Sequence, residues 1–180
     1  CNRLDRNTSG LVAAGKSLAG LQMLSAVFKD RSLHKYYLCA VKGRVEGSRL
    51  IKGYLKKDER SNQVTVSETE LPDSSPICTE YEPIREKNGF TLLKVMLITG
   101  RSHQIRAHLA AIGHPIVGDY KYGDAKTNEE VKRRFQIRSQ MLHSYEMVFP
   151  ELEGEFAYLS GRAFRAPAPQ EFSRVFGEEE

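Results

Sequence analysis

Long apolar runs are missing from this 180-residue sequence. A membrane-spanning helix needs about 20 apolar residues in a row, and no stretch approaches that. No charged start followed by an apolar segment reads as a secretory signal, so no membrane partner is expected. Cysteine is scarce: Cys1, Cys39 and Cys78 are odd in number and lack metal-ligand spacing. They read as reduced thiols in a cytoplasmic protein. Five histidines, His34, His103, His108, His114 and His143, show no ligand pattern either. On a helix His103 and His108 would stand about 140° apart, and zinc is not expected. No Gly-x-x-x-x-Gly-Lys run offers a phosphate cradle, so no nucleotide cofactor is expected. Repeats, low-complexity tracts and an interdomain linker are also missing, which leaves one domain over residues 1–180 with room for a real core.

What is present is charge, with a small basic excess. There are 27 basic and 23 acidic residues, a net of +4. Three of the acids form the tail Glu178-Glu179-Glu180, so residues 1–177 carry 27 against 20, a net of +7. Such an excess is compatible with a nucleic-acid partner without demanding one.

Hydrophobic periodicity and turn residues predict the elements. Leu11 to Ala14 is a short strand candidate, and Ser17 to Lys29 an amphipathic helix with Leu18, Leu21, Leu24 and Phe28 on its buried stripe. Strands are expected at Tyr36–Val41, around Ile51–Leu55 and at Val64–Val66, with Lys56 to Asn62 as a charged hairpin turn. Ile77–Glu82 and Phe90–Ile98 form a strand pair joined by Lys87-Asn88-Gly89. Glu129–Phe135 is a short helix and Met141–Phe149 a strand. Phe156–Leu159 and Ala163-Phe164 are weaker strand candidates, before a terminal helix at Gln170–Phe176. Strands joined mainly by turns, with few helices, imply an α+β domain built on a mixed, largely antiparallel sheet.

The stretch from Thr99 to Asp119 organises the chain. Thr99-Gly100 reads as a turn after the strand Thr91–Ile98. Ser102 is the expected N-cap of a helix beginning at His103, and Gly113 and Pro115 end it. Ile105, Leu109 and Ile112 fall on its core face, which turns His103 and Arg106 toward the mouth of the preceding strand. Two arginines and a histidine at such a junction suit an anion. A matching acid lies far upstream in Asn2-Arg3-Leu4-Asp5-Arg6-Asn7-Thr8-Ser9-Gly10. Taken alone, that run reads as an Asx-type turn leading into a strand.

Together the two stretches resemble the signature motifs of the RluA-type pseudouridine synthases, which modify ribosomal RNA. The family's His-Arg-Leu-Asp-x-x-Thr-Ser-Gly is matched from Arg3 to Gly10, with Asn2 in place of the histidine. Gly-Arg-x-His-Gln-Ile-Arg-x-His-Leu, followed by Gly-His-Pro and Gly-Asp, is matched from Gly100 to Asp119. Lys-x-Tyr-x-x-x-Val is matched by Lys35, Tyr37 and Val41. Leu142-His143 and Ala166-Pro167-Ala168-Pro169 also fit. The resemblance implies the C-terminal portion of a synthase catalytic domain, with further strands and any accessory RNA-binding domain upstream of this sequence.

That resemblance also implies a chemistry. Uridine-to-pseudouridine isomerisation breaks a nitrogen–carbon glycosidic bond, turns the uracil and rejoins it through a ring carbon. Nothing is oxidised and no phosphate moves, so no cofactor or metal is required. Asp5 is the expected carboxylate, as nucleophile at the anomeric carbon or as base at the sugar. Arg106 is the cation that would hold it charged and oriented. Tyr37 would stack on the uracil and help remove the ring proton; taken alone it reads as an ordinary sheet tyrosine. The uridine must leave its stack, and Arg3 is the side chain expected to enter the vacated space. Arg101 and His103 would serve the rim.

Lys56, Lys57, Arg133, Arg134 and Arg138 are candidates for backbone contact, although a solvated charge is the ordinary reading of each. The implied partner is ribosomal RNA first and transfer RNA second. A carboxylate-pair glycosidase lacks a second acid in any motif beside Asp5. The rival reading from another class is a non-catalytic RNA-binding module, a decayed or truncated synthase.

Overall fold

Hydrophobic side chains on both faces of consecutive strands decide where the sheet lies. The computed structural model describes residues 1–177. Its strands are β1 (Ser9–Gly10), β2 (His34–Lys42), β3 (Arg49–Asp58), β4 (Gln63–Ser67), β5 (Ser75–Lys87), β6 (Phe90–Leu97), β7 (Leu142–Val148) and β8 (Ala163–Arg165). The helices are α1 (Leu18–Lys29), α2 (Gln104–Ala111), α3 (Ala125–Phe135) and α4 (Gln170–Phe176). The strands form one sheet in the order β1-β7-β2-β6-β5-β3-β4, with β8 also on β7. Among the described strands only the β1–β7 pair is parallel. The expected mixed, largely antiparallel α+β sheet is what forms.

Strand side chains alternate between faces, so β2 and β6 feed two cores. Tyr37, Cys39 and Val41 of β2 and Leu93 and Val95 of β6 meet Ile105 and Leu109 of α2. On the opposite face Leu38, Ala40, Phe90 and Leu92 meet Val131 of α3 and Phe172 and Val175 of α4. β2 and β6 are therefore buried on both sides, as central strands with continuous apolar runs should be. The β5–β6 turn is Asn88-Gly89 with φ of 57° and 80°, the left-handed pair that a two-residue hairpin loop requires.

Two irregularities interrupt the ladder. The register of β2 against β7 shifts between Tyr36 and Tyr37, pairing Tyr37 with Ser144. Bulges re-aim side chains, and this one sits at the tyrosine expected in the site. A second shift, between Pro83 and Arg85, falls where proline has no amide to give the ladder.

Several expectations are corrected. The N-terminal strand is Ser9–Gly10, not Leu11–Ala14; a Cβ on Gly10 (φ 112°) would stand 2.1 Å from the Ser144 carbonyl oxygen, so pairing occurs at the glycine. α1 is capped by Ser17, but its buried face is Gly20, Leu24 and Val27. Leu18 and Leu21 stay exposed, because α1 turns Leu24 and Val27 toward Leu33, Met147 and Phe149. Lys56 and Lys57 continue β3, opposite Thr65 and Val64, so the hairpin turn is shorter than expected. Gly154–Leu159 is a 3-10 turn, not a strand.

Candidate active site

The β6–α2 junction is built around a glutamine. Gln104 is 2% exposed. Its Nε2 donates to the Cys78 carbonyl (3.1 Å) and Thr79 Oγ1 (3.0 Å) on β5. Its Oε1 accepts from Thr99 Oγ1 (2.8 Å) and the Arg101 amide (3.1 Å). All its hydrogen-bonding capacity is used, which locks the helix start to the sheet. The N-cap is accordingly His103, at φ 56° and without a side-chain cap bond, not Ser102. Ser102 instead accepts from Arg3 Nη2 at 3.3 Å. Gly113 (φ 87°) ends the helix as expected.

The Asp5 segment crosses in front of this junction. Leu4 packs into the core beside α2, which leaves Arg3 and Asp5 on either side of it facing the opening. The Thr8 amide donates to the Asp5 carbonyl at 3.0 Å, closing a turn with Asn7 at φ 67°. Asparagine tolerates that conformation better than most residues. Gln140 Nε2 donates to the Arg6 carbonyl (2.6 Å). Ser9 Oγ meets His143 Nδ1 (2.7 Å), whose Nε2 donates to the Ala166 carbonyl (3.0 Å). Three separated motif pieces thus close on one another. Asn2, where the family has histidine, bonds the Leu11 carbonyl (3.3 Å) and the Ala13 amide (2.8 Å), so its side chain fastens the neighbouring chain.

Arg106 is the centre. Its Nη1 donates to Asp5 Oδ2 at 3.2 Å, across 101 positions of sequence. Its Nε and Nη2 hold Asp119 Oδ2 (2.7 Å) and Oδ1 (2.9 Å) as a bidentate pair. The guanidinium carbon lies 5.1 Å from the Tyr122 ring centroid. Burial alone would weaken the Arg106 charge, but the bonds and charges of Asp119 and then Asp5 outweigh it and hold its pKa above the ordinary value.

Asp119 closes the second motif but was not expected in the site. It is fully buried, and its carboxylate also accepts the Lys121 and Tyr122 amides. Burial opposes its charge, yet Arg106 and these amides keep its pKa below the usual carboxylate range. Gly118 (φ 79°) makes the approach possible, since a Cβ there would stand 2.2 Å from the Ser139 carbonyl oxygen. The second acid missing from the sequence reading therefore exists, but it lies behind Arg106 and away from the opening.

Arg3, Asp5, Tyr37, Arg101, His103 and Arg106 all line one cavity of about 440 Å³. All six residues singled out in the sequence come together there. Burial pushes the Tyr37 phenol up, with the Ser144 hydroxyl opposing and the Asp5 charge adding. Burial also holds His103 below its ordinary value, where Asp5 pulls it up and Arg106 and Lys121 push it down. His103 Nδ1 meets the Tyr122 hydroxyl at 2.7 Å, and that oxygen accepts the Val64 amide at 3.0 Å. Lys35, noted in the sequence only as a motif residue, also lines the cavity; burial and then Arg31 lower its pKa.

The basic residues named for backbone contact divide. Lys57 pairs with Glu59 at 2.7 Å, and Arg134 with Glu130. Arg133 is exposed on α3, while Arg138 lines a second cavity beside the first.

With this geometry in view, the chain can be set beside known proteins. The profile of a family described as RNA pseudouridylate synthase matches residues 1–111. An uncharacterized RNA pseudouridine synthase of Mycoplasma genitalium is 39% identical over 155 residues, covering 84% of this chain and 47% of the relative. The ribosomal large subunit pseudouridine synthase C of Vibrio cholerae is 32% identical over 149 residues, covering 82% and 46%. The chain spans about half the length of these curated relatives. Among solved structures, human RNA pseudouridylate synthase domain containing 1 superposes with a TM-score of 0.79 at 23% identity, covering 98% of this chain and 72% of that one.

Proposed function

The chain belongs to the RNA pseudouridylate synthase family, in its RluA-type branch, and from that premise we propose that it isomerises uridine to pseudouridine in RNA, with Asp5 as the reacting carboxylate. One observation carries the reading. Asp5 lies at the cavity mouth, 20% exposed, with Arg106 on one oxygen at 3.2 Å. A carboxylate that is oriented yet open to the cavity has an oxygen available for substrate.

In the nucleophilic course, Asp5 attacks the anomeric carbon as the bond to uracil N1 breaks with its electron pair. The uracil turns and its C5 displaces the carboxylate; C5 loses its proton and N1 takes one up. In the alternative course Asp5 removes a sugar proton, the uracil leaves with the bond pair on N1, and readdition through C5 returns that proton to the sugar, after which C5 loses its own proton and N1 takes one up. Both courses conserve atoms and electrons. Tyr37 supplies the flat surface that retains the free base. Its pKa is shifted upward, so the phenol stays protonated at neutral pH and acts through its ring and as a hydrogen-bonding group, in place of the ring-proton removal that the resemblance implies. Arg3, which donates to Ser102 at the rim, fills the space the extracted nucleotide leaves on this reading, because a guanidinium plane stacks on bases and bonds phosphate.

The proposed compartment is the cytoplasm, and the proposed substrate is large-subunit ribosomal RNA. This rests on the likeness to the Vibrio cholerae protein, and transfer RNA is the second choice. The test pairs tritium release from uracil-labelled RNA with filter binding. Asp5→Asn should release no tritium while binding RNA as tightly as the parent or slightly more tightly, since a negative group near phosphates is gone. Normal release by Asp5→Asn would mean another acid reacts. Binding without release by the parent protein would mark an RNA-binding module.

A further inference from the structure

The second cavity, also about 440 Å³, shares His103 and Arg106 with the first. The Arg106 side chain is thus a common wall, with Asp5 on one side. Arg6, Lys121 and Arg138 line the second cavity, and no carboxylate among the described residues does. Lys121 Nζ bonds backbone oxygens of the β3–β4 hairpin turn, those of Ser61 and Asn62. The remaining lining is rich in amides, including Asn7, Asn62 and Gln140. Tyr120 also lines it, and is 59% exposed. That tyrosine sits on a stiff turn: Asp119 Oδ1 accepts both the Lys121 and Tyr122 amides, and the Asp119 carbonyl accepts the Gly123 amide. An aromatic ring held out into a carboxylate-free basic groove has no core to fill, and its face is available for stacking.

We propose that this groove holds the single-stranded RNA flanking the target uridine on one side, with Tyr120 as the stacking platform for a neighbouring base. This rests on the isomerase reading for the first cavity, and it extends the substrate path beyond the reacting nucleotide. Cations placed for phosphates, amides for base edges and an exposed ring form the combination that single strands require. An acidic peptide would meet the cations but leave the ring and amides unused. The loop from Asp5 to Thr8 borders both cavities, and Gln140 pins it through the Arg6 carbonyl. A strand seated in the second groove would therefore lie against the same loop that presents Asp5.

The test uses the full chain and a short fluorescein-labelled single-stranded RNA with one central uridine, intact or trimmed on its 5′ or its 3′ side. Tyr120→Ala should weaken binding of the intact RNA about tenfold, within the range for loss of one base stack. It should weaken only one of the two trimmed RNAs, the one that keeps the flank lying in the groove. Tyr120→Phe should bind like the parent. Arg138→Gln should lower the slope of log affinity against log salt by about one. Unchanged affinity of Tyr120→Ala, or equal weakening on both trimmed RNAs, would overturn the proposal. So would equal weakening by an acidic peptide competitor in parent and Tyr120→Ala alike, which would mark the groove as a peptide site. Tritium release separates this from the isomerase reading. A parent that releases nothing but shows the flank-specific loss keeps the groove and loses the isomerase. A parent that releases normally, with KM and affinity untouched by Tyr120→Ala, keeps the isomerase and loses the groove.

Discussion

Asp5 and Asp119 hold the same guanidinium from two sides, and their surroundings differ in every respect that matters. Asp119 is fully buried and takes two bonds from Arg106 and two from backbone amides. Asp5 is 20% exposed and takes one bond from Arg106, at 3.2 Å, with its segment crossing the cavity mouth. A carboxylate that is fully buried and takes four hydrogen bonds can orient a cation but has no oxygen open to a substrate. One with a free oxygen facing a cavity can react. On the proposed reading the two acids divide the work: Asp119 positions Arg106 and Arg106 presents Asp5. A buried ion pair of this kind adds little net stability, but removing one partner is costly because the other charge is stranded.

Arg106→Met breaks both halves at once. It should strand Asp119 in the core, costing about 3–5 kcal/mol, and abolish tritium release; urea unfolding and the release assay read the two effects. A stable, active Arg106→Met protein would dissolve the comparison. Asp119→Asn strands only half the charge and should cost about 3 kcal/mol, with turnover reduced as Arg106 loses its brace. Its pH signature is distinct. A carboxyl held below its ordinary value contributes stability that is present above about pH 4. That contribution is lost as pH falls through the lowered native value. Urea midpoints between neutral and acid pH should therefore show a drop in the parent that is smaller in Asp119→Asn. If Asp5→Asn removes as much stability as Asp119→Asn, the division between positioning and reacting acid fails.

Tyr37→Phe probes the side that Asp5 faces. It keeps the ring, so turnover should fall by about tenfold or less, since a phenol shifted upward supplies little phenolate at neutral pH. A fall of about a hundredfold or more, the usual scale for losing a proton-transfer group, would make the hydroxyl the proton acceptor. The smallest effect belongs to Asp124, an acid close to Asp119 in sequence whose partners lie elsewhere. Its side chain accepts from the Thr127 hydroxyl and, at 2.8 Å, from the Thr127 amide, capping α3; with Lys42 these hold its pKa at about 2. Asp124→Ala should cost about 1 kcal/mol and leave tritium release intact. That stabilisation should be present above the ordinary carboxylate value and fade as pH falls toward 2. Lost activity in Asp124→Ala would show that the turn around Asp119 is sensitive to more than its ion pair.

Elements with short-range signals were legible in the order of residues alone. Asn88-Gly89 requires a tight hairpin and Gly113 a helix stop, whereas the central position of β2 and β6 between two layers emerged only with the fold. Six of the residues that line the first cavity were named beforehand, Arg3, Asp5 and Tyr37 through the motif resemblance, and Arg101, His103 and Arg106 also as a charged strand-to-helix junction. The contact of Arg106 with Asp5 was among the expectations, but those of Arg106 with Asp119 and of Arg3 with Ser102 were settled only when the chain folded. The buried face of α1 depended on Leu33, Met147 and Phe149 arriving from elsewhere, which left Leu18 and Leu21 outside. Ser102 lost the N-cap role because Gln104 reached β5 and the rim serine met Arg3 from the far end of the chain. Asp119 stood in view beside a glycine, yet its role depends on an arginine 13 positions away turning toward it and on Gly118 passing close to Ser139. Periodicity and turn chemistry act over a few residues, whereas an ion pair spanning 101 positions exists only once the sheet between its partners has closed.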